Sequence, residues 1–337
     1  MSVEDSQKCY EPLPVPHIPE KLLSFPQEYT LKPGQQKPFD EVLQHFQDED
    51  YVLPNVEDGA LTDEEKFWLS YECMHRYLRA VKWASSKAAI KRLEETLIWR
   101  REFGLYGLIT HEHVEPEATT GKEVLFGYDV DGRPALYLRP SRQNTGESIR
   151  QLHFLTWTLE RCVDLMGPGV ENIALMVDVS DRAKMPSISQ SRATVNILQN
   201  HYPERLGRAL ITNVPFLVNA FFRIITPLLD PVTREKMRFN PACIKDGLFT
   251  PEMLMKEWGG AREFEYDHEQ YWSALVKMCD ERRMRMMDAW RSQGSTVGIK
   301  EWEVKCAIDD HEQGTGVMEQ EKTQAITESV GEEIIVS

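Results

Sequence analysis

The spacing of hydrophobic positions changes character near residue 122. Before it the spacing is helical. EEKFWLSYECMHRYLRAVKW (64–83) reads as one helix and SSKAAIKRLEETLIWRREFG (85–104) as the next, with Ile90, Leu93, Leu97 and Ile98 on one face. Ser85 or Ser86 caps the second helix, and Gly104 ends it. After 122 the period shortens to two. KEVLFGYDVDGRPALYL predicts a hairpin turning at Asp131-Gly132, and NIALMVDVS and RALITNVP predict further strands. Helical runs, ESIRQLHFLTWTLERCVDLM and SISQSRATVNILQNH, separate those strands. Strand alternating with helix predicts an α/β fold with a mostly parallel sheet covered by helices. Beyond Gly259-Gly260, residues 267–292 predict an amphipathic helix. The flanks differ: 1–63 is proline-rich, acidic and mostly loop, with FDEVLQHFQD a short helix, and 301–337 reads as disordered. No internal repeat is visible.

Residues 201–236 break the pattern, placing a run of oily side chains between two polar clusters, YPER and DPVTREK. The oily part, Val214 to Leu229, holds Pro215, Pro227 and Arg223, and it falls short of the roughly 20 apolar residues a bilayer span needs. A helix over 216–225 would be apolar on nearly every side, so it is buried in a core or covers a cavity with greasy contents.

Charge sharpens the division. The formal net charge of the 337 residues is -15, but residues 1–65 carry fifteen acids against four bases and residues 301–337 ten against two. Residues 66–300 hold 33 bases and 29 acids, so a mildly basic body lies between acidic arms. No dense Lys/Arg stripe offers the phosphate contacts on which nucleic-acid binding depends, whereas weak attraction to anionic lipid surfaces fits. The six cysteines form no C-x-x-C pair and read as reduced thiols, not as a zinc site or a disulfide framework. The N-terminus has no secretory pattern and neither end a lipidation motif, which predicts a cytosolic protein, peripheral on membranes or lipid droplets.

Motifs of catalysis are missing: there is no glycine-rich phosphate loop, no G-x-S-x-G elbow and no H-E-x-x-H. His111-Glu112-His113 lacks a third metal ligand at suitable spacing and reads as a surface loop. Asp178 and Asp181 end a strand and read as a turn capping the next helix. An enzyme, a metal centre and a resident cofactor are therefore not expected. Asp230 and Pro231 have the pattern of a helix start, and Thr233 in the first turn with Lys236 one turn later suits a phosphate or a polyhydroxylated group. Glu204 suits hydroxyl donors, which an inositol ring offers and a choline does not.

LRAVKW with ETLIWRREFG, then DGRPALYLRP, YPERLGRALITNVPF and PLLDPVTREKM, in this order and spacing, resemble the CRAL-TRIO lipid-binding family over residues 65–265. Within it the chain resembles the fungal phosphatidylinositol transfer proteins, nearest the branch linked to sterol binding and azole tolerance. The resemblance implies a helical N-terminal lobe (64–112), an α/β lipid-binding domain (113–265) with a hydrophobic cavity, and a gating helix at 216–225. The amphipathic helix (266–300) and the acidic tail (301–337) follow, and 1–63 is an extension. It implies head-group binding by Glu204, Thr233 and Lys236, with Asp230 beside them. Lys82 keeps the lysine of an N-terminal Arg-Lys pair, but Val81 stands where the arginine is expected. Phe216, Phe221, Phe222, Tyr137 and Trp157 are expected at the gate or cavity, although aromatics at such spacing are more often plain core. Phosphatidylinositol or a sterol is the expected ligand, membrane phospholipids the partners, and presentation of lipid to a lipid kinase the alternative role. Two buried acyl chains represent on the order of 20 kcal/mol against water. Release to solvent is then too slow to be useful, and exchange against a bilayer avoids that cost.

Overall fold

Several helices of the N-terminal lobe start where a side chain replaces a missing backbone partner. In the computed structural model, which describes residues 8–16, 29–180, 186–214, 227 and 231–308, α1 spans Gln36–Gln47, α2 Asp63–Trp68, α3 Tyr71–Ala80 and α4 Ser86–Glu102. Thr62 and Glu65 form a reciprocal capping box at α2, Ser70 accepts from the Cys73 N–H at α3, and Ser85 accepts from the Ala88 N–H at α4. Gly104, at φ +90°, follows the end of α4.

The single helix expected over 64–83 is two, broken at Leu69-Ser70. The reason is tertiary. The Leu69 carbonyl accepts from the Gly298 N–H (2.8 Å) and the Tyr71 N–H donates to the Ile299 carbonyl (2.9 Å), so a distant segment takes the bonds that a continuous helix would have made internally.

The helical lobe also begins earlier than expected. Phe39, Val42 and Phe46, at helical spacing on α1, are buried with Tyr77, Leu93 and Leu97, so residues read as part of an extension belong to this core. Residues 301–308, expected to open a disordered tail, are likewise helical, and Trp302, Val304 and Ile308 are buried. Gly169 allows this docking, since a Cβ there would lie 2.3 Å from the Trp302 ring.

His111–Ala118 forms α5, so His111 and Glu112 open a helix where a loop was expected. Thr110 caps it through the His113 N–H. His113 Nε2 lies 3.0 Å from His153 Nδ1, and among the described residues no group of three or more potential ligands is placed to hold a metal.

The sheet follows: β1 Glu123–Tyr128, β2 Pro134–Leu138, α6 Ile149–Asp164, β3 Ile173–Asp178, α7 Ile188–His201, β4 Leu206–Thr212, α8 Pro231–Glu235, β5 Met237–Phe239 and α9 His268–Ser292. Strand order is sequential, β1 antiparallel to β2 and the other neighbours parallel. The long crossovers that parallel pairing demands are α6, α7 and the segment between β4 and β5. Ser187 caps α7, while Asp178 accepts from the Ser180 N–H and from Asn213 Nδ2; Asp181 lies outside the described residues. The Tyr271 hydroxyl bonds both the N–H (2.7 Å) and the carbonyl (2.9 Å) of Leu125, closing part of the open edge of β1.

The two faces of the sheet are unequally covered. On one, Ala174 and Met176 of β3 are buried; on the other, Leu136 and Ile211 are buried as well, while Leu138, Leu175 and Val177 remain half-buried. No helix among the described residues is long and apolar enough to cross a membrane.

Candidate head-group site

The turn between α7 and β4 carries Glu204, and the two residues at the end of α7 anchor it. His201 stacks on Trp99 with ring centroids 4.1 Å apart, and its carbonyl accepts from the Tyr77 hydroxyl (3.1 Å). The buried Tyr202 donates its hydroxyl to Glu160 Oε1 (2.6 Å), and Glu160 receives both Nη atoms of Arg100 (2.9 and 3.1 Å). Burial alone would raise the Glu160 carboxyl, but Arg100 and the Tyr202 hydroxyl outweigh it and hold the group at about 2.

Glu204 itself sits at φ +60°, a left-handed conformation that costs a non-glycine residue about 1 kcal/mol or more. What holds it there is an ion pair. Arg79 Nε, from the last turn of α3, lies 2.5 Å from Glu204 Oε2, and the Tyr29 ring lies 4.8 Å from the Arg79 guanidinium carbon.

Behind that pair runs a buried chain of charges. Glu171 Oε2 meets Arg79 Nη2 at 3.6 Å and Arg76 Nη1 at 2.6 Å, and Arg76 Nη2 meets Glu301 Oε1 at 2.9 Å. Burial, with Glu301 nearby, pushes the Glu171 carboxyl up to about 8 against the pull of Arg205 and Lys305, and its two oxygens accept from Arg76 and the Tyr29 hydroxyl. Glu301 goes the other way. Burial works against its charge, but Arg76, Lys305 and Arg205 hold its carboxyl well below the usual range, and Ser70 Oγ donates to it. Glu72 accepts the backbone N–H groups of Glu301 and Trp302, which pins the C-terminal segment to α3.

The second polar cluster arrives at the same place. Lys236 Nζ donates to the Leu206 carbonyl at 2.6 Å, and Leu206 is two residues beyond Glu204, on the order of 7 Å along extended chain. The Ala209 N–H donates to the Lys236 carbonyl and the Lys236 N–H to the Thr233 carbonyl, which sets α8 beside the start of β4. Thr233 is half-exposed on α8. That helix has five residues, too few for its terminus to attract a phosphate strongly. Asp230 lies outside the described residues. Lys82, exposed and at φ +53°, donates its N–H to the Arg79 carbonyl at the end of α3. Val81 points the other way, packing on the helical-lobe core.

Three of the expected apolar residues, Phe216, Phe221 and Phe222, lie outside the described residues, as does the whole of 216–225. Tyr137 is fully buried on the sheet face of Met176, its ring against Trp258. Trp157 packs on Trp272 of α9, ring centroids 4.7 Å apart, with Arg161 over its ring. Both belong to the core, and Tyr137 lies on the sheet face opposite Leu138, Leu175 and Val177.

Sequence reasoning missed Arg79, Arg76, Glu171 and Glu301. One signal was present: Glu72, Arg76 and Arg79 recur at helical spacing along α3, on a stripe that carries buried positions.

Comparison with known proteins agrees with this architecture. The sequence profile of the CRAL/TRIO domain matches residues 118–260, and that of the CRAL/TRIO N-terminal domain matches residues 38–95. The phosphatidylinositol transfer protein PDR17 of Saccharomyces cerevisiae is 37% identical over 317 residues, covering 87% of this chain and 89% of that protein. The chain belongs to the CRAL-TRIO family. Its CRAL-TRIO N-terminal match starts at 38, within α1, consistent with a helical lobe that includes that helix. A CRAL-TRIO domain-containing protein of Schizosaccharomyces pombe is 42% identical over 297 residues, 87% of this chain; the chain spans only 29% of that relative's length. The SEC14 cytosolic factor of Kluyveromyces lactis is 30% identical over 213 residues, 56% of this chain and 70% of that protein. The crystal structure of Sfh5 shares the fold, with a TM-score of 0.53 at 14% identity over 76% of this chain and 99% of that one.

Proposed function

We propose that this CRAL-TRIO protein binds phosphatidylinositol and exchanges it between membranes. The observation that carries the reading is the convergence of Glu204 and Lys236 on the start of β4, from clusters 32 residues apart in sequence. Glu204 accepts hydroxyl protons from the inositol ring, and Lys236 with Thr233 and Lys82 meets the phosphate. The incompletely covered face of Leu138, Leu175 and Val177 is the wall on which acyl chains lie. The oily segment 216–225, with Phe216, Phe221 and Phe222, closes over them. No bond is made or broken in this exchange. The likeness to PDR17, by its name a phosphatidylinositol transfer protein, supports the same reading.

A sterol is proposed as second ligand of the same cavity, and binding of labelled sterol that phosphatidylinositol displaces is the expected result. Vesicle-to-vesicle transfer tests the main reading. Glu204→Ala and Lys236→Ala should each lower phosphatidylinositol transfer about tenfold, and unchanged transfer in both removes the head-group assignment. Peripheral membrane contact and presentation of the lipid to a kinase belong to the same proposal. They are checked by vesicle co-sedimentation and by kinase assays with the loaded protein.

A further inference from the structure

Four cations surround the carboxylates behind Glu204, and their donors are unequally committed. Arg76 is 3% exposed and spends one Nη on Glu171 and the other on Glu301. Arg205 donates to the Glu171 carbonyl at 2.8 Å, and Lys305 donates to Glu301 at 3.2 Å with its side chain 4% exposed. None of these three can turn outward without leaving a buried acceptor unsatisfied, a carboxyl for Arg76 and Lys305 and the Glu171 backbone carbonyl for Arg205. Arg79 differs. Its side chain is 28% exposed, its Nε is engaged by Glu204, and its Nη2 approaches Glu171 only to 3.6 Å, beyond hydrogen-bond length. Nη1 makes no hydrogen bond among the described residues, so the guanidinium holds donors in reserve at the mouth of the site. The Tyr29 ring on one side and the Glu204 carboxylate at its edge fix the plane in which those donors point.

An inositol lipid places a phosphodiester charge beside a carboxylate that is already negative. Two anionic groups within a few ångströms need more than one cation between them. Val81, at the position where an arginine is expected, contributes none and packs into the helical core. We infer that Arg79, two residues earlier, is the specificity-determining cation of the head-group site, bridging Glu204 and the lipid phosphate through its uncommitted Nη donors. This rests on the proposed binding of phosphatidylinositol and assigns a residue within it. A fixed guanidinium at the Glu204 carboxylate also repels the quaternary ammonium of a choline head group, so its effect is on the choice between lipids and not on capacity for lipid as such.

The test is transfer of pyrene-labelled phosphatidylinositol and pyrene-labelled phosphatidylcholine from donor to unlabelled acceptor vesicles by the full chain. Arg79→Gln should lower the phosphatidylinositol-to-phosphatidylcholine ratio about tenfold, and Arg79→Lys, which keeps the charge, should recover most of it. The drop should persist when Arg79→Gln is added to Glu204→Gln. If it vanishes in that background, or if both lipids fall equally, Arg79 merely props Glu204 and the inference is overturned. A second measurement stands if Arg79→Gln fails to fold. The arginine Nε–H resonance lost in Arg79→Lys should move when the unaltered protein is loaded from phosphatidylinositol vesicles and stay in place with diacylglycerol vesicles. An unmoved resonance overturns the inference. Failure of the unaltered chain to transfer phosphatidylinositol at all would instead overturn the function on which it rests.

Discussion

The two halves of the head-group site are built to different standards. Glu204 is held by an ion pair, a turn anchored through Tyr202 and Glu160, and a buried charge chain reaching Glu301 at the far end of the chain. Lys236 and Thr233 stand on a five-residue helix beside the three-residue edge strand β5, with Pro231, Val232, Arg234 and Glu235 around them exposed. The first half is over-determined by tertiary structure and stays in place at the cost of a left-handed backbone. The ties of the second among the described residues include Lys236 to the Leu206 carbonyl and the short β4–β5 pairing. In the proposed reading the stiff half places the acceptor for the ring hydroxyls, so pre-organisation is concentrated where head groups would be told apart.

Breaking the stiff half at its far end should have the largest effect. Ending the chain at Lys300 removes Glu301 from Arg76 and strips away the buried Trp302, Val304 and Ile308. Breaking such a buried pair costs about 3–5 kcal/mol and each large apolar side chain about 1.5–3 kcal/mol. A fall in melting temperature of about 10 °C or more is expected, with phosphatidylinositol transfer lost alongside. Ending the chain at Ile308 should leave both unchanged. A stable, transfer-competent protein ending at Lys300 would show that the charge chain is not what holds Glu204.

The next effect appears with pH. The folded Glu160 carboxyl lies near 2, below its unfolded value near 4.5. Its contribution, on the order of 3 kcal/mol, is therefore complete above about pH 4.5 and is lost as pH falls toward 2. Melting temperatures of the unaltered protein and Glu160→Gln should differ most above pH 4.5 and converge toward pH 2. A gap that stays constant across that range would mean that the Arg100 pair adds no pH-dependent stability.

The smallest effect is expected in the loose half. Lys236→Ala removes the hydrogen bond to the Leu206 carbonyl, worth about 1 kcal/mol and a shift of a few degrees, while lowering phosphatidylinositol transfer several-fold more than that loss of stability explains. A destabilisation as large as that of Glu160→Gln would erase the distinction between the halves.

Much of the frame was legible from spacing. β3, α6 and α7 fall within their expected segments and β4 overlaps its own, starting two residues earlier, because alternating and helical periods report burial directly. The caps at Ser85 and the stop at Gly104 were legible too, being local chemistry. The break at Ser70 was not, although Ser70 is a good cap, since what decides it is a pair of hydrogen bonds to residues more than two hundred positions away. The helix at 301–308 was masked by its acidic neighbours: composition averaged over 37 residues hid a buried segment of eight.

The site divides in the same way. Glu204, Thr233, Lys236 and Lys82 were marked by residue type and by resemblance, but their convergence is a property of the β4 pairing and the α3 end. Arg76 finds its carboxyls 95 and 225 residues away in sequence. The sequence by itself determined the periods, the caps, the oily crossover and the chemical types at its ends, because each of these is settled within a few neighbouring residues. Only the tertiary structure decided which charge meets which. An ion pair depends on distance through space, and along the chain any of these arginines or glutamates reads equally well as a solvated surface residue.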